Sequence, residues 1–245
     1  MALVTGASRG IGRACALALA RSGIDVAVHY NSGAAEAQST LAEVAKLKPA
    51  SGRAQIFQSN LSVAGAAGEL VEKVAADFGP PTILVHAAGH SVEKPLAFTS
   101  PADWDGLFDI HSFAAAALSR AMLRYIRKSD AGRIVYVSSL AGVSGLGNGA
   151  AYAAAKGALQ GLSKSLALEA SRWKATVNSV APGYVATEMT AHHEPEKRAA
   201  NIATIPLGRY GTPEDVAALV AFLCSPHAGW ITGQTLVIDG GMSLA

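Results

Sequence analysis

The stretch Ala2-Leu3-Val4-Thr5-Gly6-Ala7-Ser8-Arg9-Gly10-Ile11-Gly12 joins a short apolar run to the start of a helical pattern at 10–22. The run reads as a strand, the pattern as a helix, and the glycines mark the turn between them. Gly6 permits the tight turn, Gly10 lets the backbone approach a diphosphate, and Gly12 lets the helix pack against the strand. The helix then points its unpaired N–H groups and positive dipole end at the anion. Glycine turns are common in α/β proteins, but a triplet at the first strand-to-helix junction points to a dinucleotide.

The same alternation continues outward. Strand candidates at 2–5, 25–29, 55–58, 82–86, 133–138, 176–180 and 235–238 are separated by helical patterns at 10–22, 33–47, 64–78, 101–128, 150–172 and 213–225. This predicts a single-domain α/β fold over 1–245, a Rossmann-like doubly wound seven-stranded parallel sheet with helices on both faces. Apolar runs such as Ile83-Leu84-Val85 suit strands covered on both sides. The least regular stretch, about 185–210, reads as a lid insertion over a site.

Half of the residues are hydrophobic and 16% are charged, which excludes a disordered chain. A formal charge of +2 gives no overall field for nucleic acid, and no apolar run approaches a membrane span. Cys15 and Cys224 sit in apolar helical stretches and read as small buried hydrophobes. With the short apolar N-terminus, they favour a reducing cytoplasm.

At the end of the second strand a carboxylate would grip the ribose 2′-hydroxyl of NAD and repel the 2′-phosphate of NADP. Here the junction reads Val28-His29-Tyr30-Asn31-Ser32, without an acid, and Arg9 supplies a cation shaped for phosphate. NADP is therefore expected. Further along, Tyr152 and Lys156 are four apart on one helix face, and Ser139 follows the strand at 133–138. A neighbouring ammonium and the charge of an oxidised nicotinamide would favour the phenolate and make Tyr152 a proton donor and acceptor near neutrality.

These marks together resemble the short-chain dehydrogenases/reductases along essentially the whole chain: Thr5 to Gly12, Asn60-Leu61, Ala88-Gly89, Ser139, Tyr152 to Lys156, Asn178, Pro182-Gly183 and Thr187. The resemblance implies that Ser139 holds the substrate oxygen, Tyr152 exchanges its proton, and Lys156 holds the nicotinamide ribose while lowering the tyrosine pKa. It implies a cofactor seat of Gly6, Ser8, Arg9, Gly10, Ile11, Gly12, His29, Tyr30, Asn31, Asn60, Leu61, Ala87, Ala88, Gly89, Pro182, Gly183, Val185 and Thr187, with Tyr152 and Lys156. Within that family the chain looks most like 3-oxoacyl-acyl-carrier-protein reductases, through Val177 to Tyr184, Ile205 to Arg209 and Ile231 to Gly241. Fatty acid biosynthesis is the setting this implies.

Two positions depart from the family pattern. His86-Ala87-Ala88-Gly89 stands where the family has Asn-Asn-Ala-Gly, and His111 takes the place of the asparagine in the catalytic tetrad. His111 is kept as a candidate catalytic residue; a satisfied core histidine, a water-holding group and a sign of altered substrate are its possible readings. The pair His192-His193 lacks partners at ligand spacing, and no metal is expected.

The leading expectation is an NADPH-dependent carbonyl reductase of 3-oxoacyl thioesters on acyl carrier protein. The alternatives are a dehydrogenase of a sugar, polyol or polyketide-like intermediate and a non-catalytic dinucleotide-binding regulator. A carrier protein is acidic in the family picture, so Arg127, Lys128, Arg172 and Lys174 are candidate docking cations near the site entrance. A homotetramer is implied by the resemblance, and small apolar faces at Ala114 to Ala117 and at Ala151, Ala155, Ala158 and Leu162 permit it.

Overall fold

The computed structural model describes residues 1–47, 53–191 and 194–244. Its strands are β1 (Ala2–Thr5), β2 (Val26–Tyr30), β3 (Ala54–Gln58), β4 (Ile83–His86), β5 (Arg133–Val137), β6 (Thr176–Pro182) and β7 (Thr235–Ile238). They form one parallel sheet in the order β3-β2-β1-β4-β5-β6-β7.

Alternate residues of each strand feed opposite layers, as the two-residue period of a strand requires. Ala2, Val4, Val26, Val28, Val135 and Val137 pack under α1 (Gly10–Arg21), α2 (Ala34–Leu47) and α9 (Pro213–Cys224). Leu3, Ala27, Ile134 and Tyr136 face α3 (Ala66–Asp77), α5 (Ala114–Ile126) and α7 (Ala150–Ala170). Cys15 and Cys224 are free, buried thiols in the first layer, and burial pushes both above the usual range.

The helix expected at 101–128 is in fact three pieces. The first, α4 (Pro101–Phe108), starts on a reciprocal cap between Ser100 and Asp103. A single π turn, Asp109–Phe113, separates it from α5. Two short helices were not foreseen, α6 (Ala141–Ser144) and α8 (Pro195–Ala203). Within the stretch read as irregular, α8 starts on Pro195 and buries none of its side chains.

Candidate active site

Order reverses between β1 and β4, and at such a switch point the loops leaving the strand C-termini part to form a crevice. A cleft of about 710 Å³ opens there, between the glycine turn after β1, the loop after β4 and the ends of β5 and β6. Its lining includes Gly6, Ser8, Arg9, Gly10, Ile11, Gly12, His29, Asn31, Leu61, Ala87, Ala88, Gly89, Pro182, Gly183, Val185 and Thr187. Ser139, Tyr152, Lys156 and His111 reach the same cleft. Tyr30 and Asn60 do not line it: the Asn60 carboxamide accepts the Ser62 N–H at 3.1 Å and closes a local turn, while Leu61 and Ser62 face the cleft.

The glycine turn is packed so closely that side chains cannot replace it. Gly6 has φ +65°, and a Cβ there would lie 2.7 Å from Ala88 Cα. A Cβ on Gly12 would lie 2.2 Å from Gly6 O. Arg9 precedes α1 in an extended conformation, without a side-chain cap and without an acid in the first turn. A helix N-terminus left uncapped and facing a cleft suits the diphosphate of a dinucleotide.

His29 does something other than read a ribose. It is 2% exposed, accepts the Gly6 N–H on Nδ1 at 3.2 Å and places Nε2 3.1 Å from Ser59 O, so Nε2 carries the hydrogen. Burial lowers its pKa to about 4 and keeps it neutral. The imidazole is thus a strut between the glycine turn and the end of β3, while Asn31 and Ser32 form the exposed rim. An acid missed by reading only the end of β2 is also present. A Cβ at Gly33 would meet Glu36 Oε2 at 3.1 Å and Ser8 Oγ at 3.4 Å, so the carboxylate in the first turn of α2 stands beside Ser8.

At the other end of the cleft, Lys156 of α7 is locked to two successive residues at the end of β5, Val137 and Ser138. Ser138 Oγ donates to Lys156 O at 2.8 Å, and Lys156 Nζ donates to Val137 O at 2.8 Å. Ser139 accepts the Ala141 N–H at 3.1 Å and is hydrogen-bonded to the Tyr152 phenol. The Lys156 ammonium lies 5.8 Å from the Tyr152 ring centroid. Burial lowers the Lys156 pKa to about 7. Burial raises the Tyr152 phenol, the Ser139 hydrogen bond opposes this, and the Glu93 charge adds to the rise.

The π turn carries His111 into the floor of the cleft. Its ring packs on Gly89, where a Cβ would lie 2.0 Å from His111 Cε1, and meets Tyr152 edge-on at 5.7 Å between centroids. Asn178 is structural, bridging Ile231 O and the Gln234 N–H at 2.8 and 3.0 Å. His90, Ser91 and Ser138 also line the cleft and were not singled out from sequence.

The proposed docking cations are misplaced for this site. Arg127 and Lys128 follow α5 and precede β5, and Arg172 and Lys174 lie between α7 and β6. They therefore stand at the N-terminal edge of a parallel sheet whose cleft opens at the C-terminal edge. His192 and His193 lie outside the described residues, among which no group of three His, Cys, Asp or Glu side chains is assembled. Among the same residues, no helix is long and apolar enough to cross a membrane.

Comparisons with known proteins agree with this geometry. Residues 6–243 match a family model described as Enoyl-(Acyl carrier protein) reductase. The chain is 38% identical to 3-oxoacyl-[acyl-carrier-protein] reductase of Synechocystis sp. over 243 residues, covering 99% of this chain and 96% of the relative. It is also 38% identical to 3-oxoacyl-[acyl-carrier-protein] reductase FabG of Escherichia coli over 242 residues, with the same coverage. Among solved structures, acetoin dehydrogenase YohF from Salmonella typhimurium superposes with a TM-score of 0.90 at 34% identity, covering 100% of this chain and 97% of that one. With a family model matched over residues 6–243 and relatives 38% identical along nearly the whole chain, the chain belongs to the short-chain dehydrogenase/reductase family and is an oxidoreductase of that family.

Proposed function

We propose that this protein reduces the ketone of a 3-oxoacyl thioester on acyl carrier protein to the 3-hydroxyacyl thioester, with NADPH as reductant. The observation that carries the reading is the meeting of Ser139, Tyr152 and Lys156 at one end of the cleft whose other end is the glycine turn. NADPH supplies the hydride for the carbonyl carbon. The Ser139 hydroxyl donates to the carbonyl oxygen and orients it, and Tyr152 gives that oxygen its proton. Lys156, whose backbone carbonyl accepts from Ser138 and whose ammonium already donates to Val137 O, would turn its remaining ammonium hydrogens toward the cofactor ribose and the phenol.

Arg9 on the rim and the absence of an acid at Asn31 and Ser32 support NADP, while Glu36 beside Ser8 works against it. The thioester follows from the names of the similar reductases. A second reading, a small hydroxyketone, is favoured by the acetoin dehydrogenases among the solved structures. The test is NADPH oxidation with 3-oxoacyl thioesters, acetoin-like ketones and quinones in parallel. Turnover confined to the small ketones would overturn the thioester reading.

A homotetramer in a reducing cytoplasm completes the proposal. Ala114, Ala115, Ala151 and Ala155 are consumed inside the chain, whereas Ala116 and Ala158 of the same two faces stay exposed. The support is an exposed line of Ala154, Ala158, Gly161 and Leu168 on α7, with Phe113, 63% exposed, just before α5.

A further inference from the structure

The two histidines that replace asparagines of the family are tied to each other. His86 ends β4, receives the Thr5 hydroxyl on Nδ1 at 2.9 Å and sets Nε2 3.1 Å from Ile110 O in the π turn. The next residue of that turn, His111, sends Nε2 back to His90 O at 2.8 Å, in the loop that follows β4. Carbonyl acceptors require the hydrogen on Nε2 in both rings. The Thr5 oxygen in turn accepts the Ala87 and Ala88 N–H groups at 3.2 Å each, so the glycine-turn strand, β4, the π turn and the β4 loop form one hydrogen-bonded circuit.

The circuit fixes two things that chemistry needs. A π turn departs from the regular helical ladder, and the His86 bond to Ile110 O supports that departure. The departure places the His111 ring between Gly89 and the edge of Tyr152. The bond from His111 to His90 O fixes the loop whose His90 and Ser91 wall the cleft. Both rings are 1% exposed, and His111 Nδ1 is buried without a hydrogen-bond partner, a cost that a simple space-filling residue would avoid.

We propose that His86 and His111 act as one reciprocal clamp, positioning residues that hold the Tyr152 phenol and the His90 wall of the cleft, each effective only with the other in place. The inference deepens the reductase reading and rests on it for its kinetic consequences.

Glutamine puts an amide N–H near the position of imidazole Nε2, whereas asparagine is too short to reach it. The test compares His86→Asn, His86→Gln, His111→Asn, His111→Gln and the double asparagine variant, with kcat and NADPH binding measured separately. Either asparagine variant should lower kcat by about tenfold, since small misplacements of a reacting group are costly. NADPH affinity should stay within about twofold, glutamine should restore most of the loss, and the double variant should be no worse than the poorer single. Losses that multiply in the double variant, or glutamine no better than asparagine, would overturn the clamp. Proton NMR of the ring Nε2–H groups, recorded on the whole protein, reads the clamp without any activity. Replacing His86 by Gln should leave the clamp and the protection of the His111 Nε2–H, while His86→Ala should make that proton exchange at least about tenfold faster. Unchanged protection in His86→Ala refutes the clamp whether or not the enzyme reduces thioesters, and an inactive wild type with coupled protons refutes only the reductase reading. If an asparagine variant does not fold, the glutamine variants and the exchange measurement decide.

Discussion

Lys197 Nζ of α8 lies 3.0 Å from Glu93 Oε2 in the loop after β4, joining two segments 104 positions apart beside Tyr152 and Tyr184. Two further ties of α8 are polar or cation–π in kind. Arg198 sits 4.4 Å over the Tyr210 ring, and Asn201 Nδ2 donates to the Tyr210 hydroxyl at 2.8 Å. A helix that buries no side chain and is held this way opens at small cost. Both members of the ion pair are partly exposed, so its worth is at most about 1 kcal/mol and it weakens with salt. Replacing Lys197 by Gln should raise the KM for substrate about two- to fivefold with little change in NADPH affinity. Wild type at high salt should move toward the variant, and the variant should respond little. Equal salt responses of the two proteins would show that the pair does not latch α8.

Tyr152→Phe keeps the ring and removes the proton. Steady-state turnover should fall by about 10² or more while NADPH still binds, because general acid catalysis is lost but the cleft is not. Wild-type-like turnover would remove Tyr152 from the mechanism.

Cofactor choice should respond to Arg9, Asn31 and Glu36. Arg9→Ala should lower kcat/KM for NADPH by about tenfold or more and spare NADH, as expected for one lost charged hydrogen bond to phosphate. Asn31→Asp should shift preference toward NADH, and Glu36→Gln toward NADPH. His29→Asp is a different experiment, since it removes the strut between Gly6 and Ser59, and it should show first as a lower Tm. An enzyme that uses NADH better than NADPH from the outset would contradict the NADP assignment.

Acid should destabilise the fold through its buried histidines. Burial lowers His29 to about 4 and His86 to about 3, each from an ordinary value near 6.5. Between these limits the unfolded chain binds more protons than the folded one, so stability is full above about pH 6.5 and declines as pH falls toward 4. The decline should reach a few kcal/mol, and His29→Gln, which cannot titrate, should flatten part of it. Denaturant midpoints measured across pH 4–7 would test this; a flat profile would mean that these rings take up protons in the fold as readily as in the unfolded chain.

For assembly, light scattering at micromolar concentration should report about four times the chain mass of 24.9 kDa. Leu168→Glu, on the exposed side of α7, should shift the mass downward without altering the monomer fold. A wild-type monomer would remove the tetramer from the proposal.

The sheet was legible because parallel strands buried on both faces leave short runs such as Ile83-Leu84-Val85, and the glycine turn because its φ values and close contacts admit no side chain. Ser139, Tyr152 and Lys156 were legible for a related reason: strand end and helix turn dictate where they point. The π turn was not, since Asp109 to Phe113 holds no glycine or proline to mark a break and its difference lies in hydrogen-bond pairing. Helix α8 was missed because it has no buried apolar stripe to set a period. The His29 strut and the position of the cations were legible and passed over. Alternation from Ala27 turns His29 inward, and residues just before β5 and β6 must lie at the edge away from a cleft at the strand C-termini.

The π turn also bears on how this chain can change length. Elsewhere in the 101–126 segment, one residue gained or lost would rotate all that follows by about 100° and carry Ala115, Leu118 and Met122 off the sheet. Within Asp109–Phe113 the helix already accommodates one extra residue per turn. A deletion there would return the turn to α-helical spacing and leave α4 and α5 in phase, while withdrawing His111 from Tyr152. Scaffold and site are therefore separable at this point, so lineages can trade cleft architecture by single-codon insertion or loss without rebuilding the core.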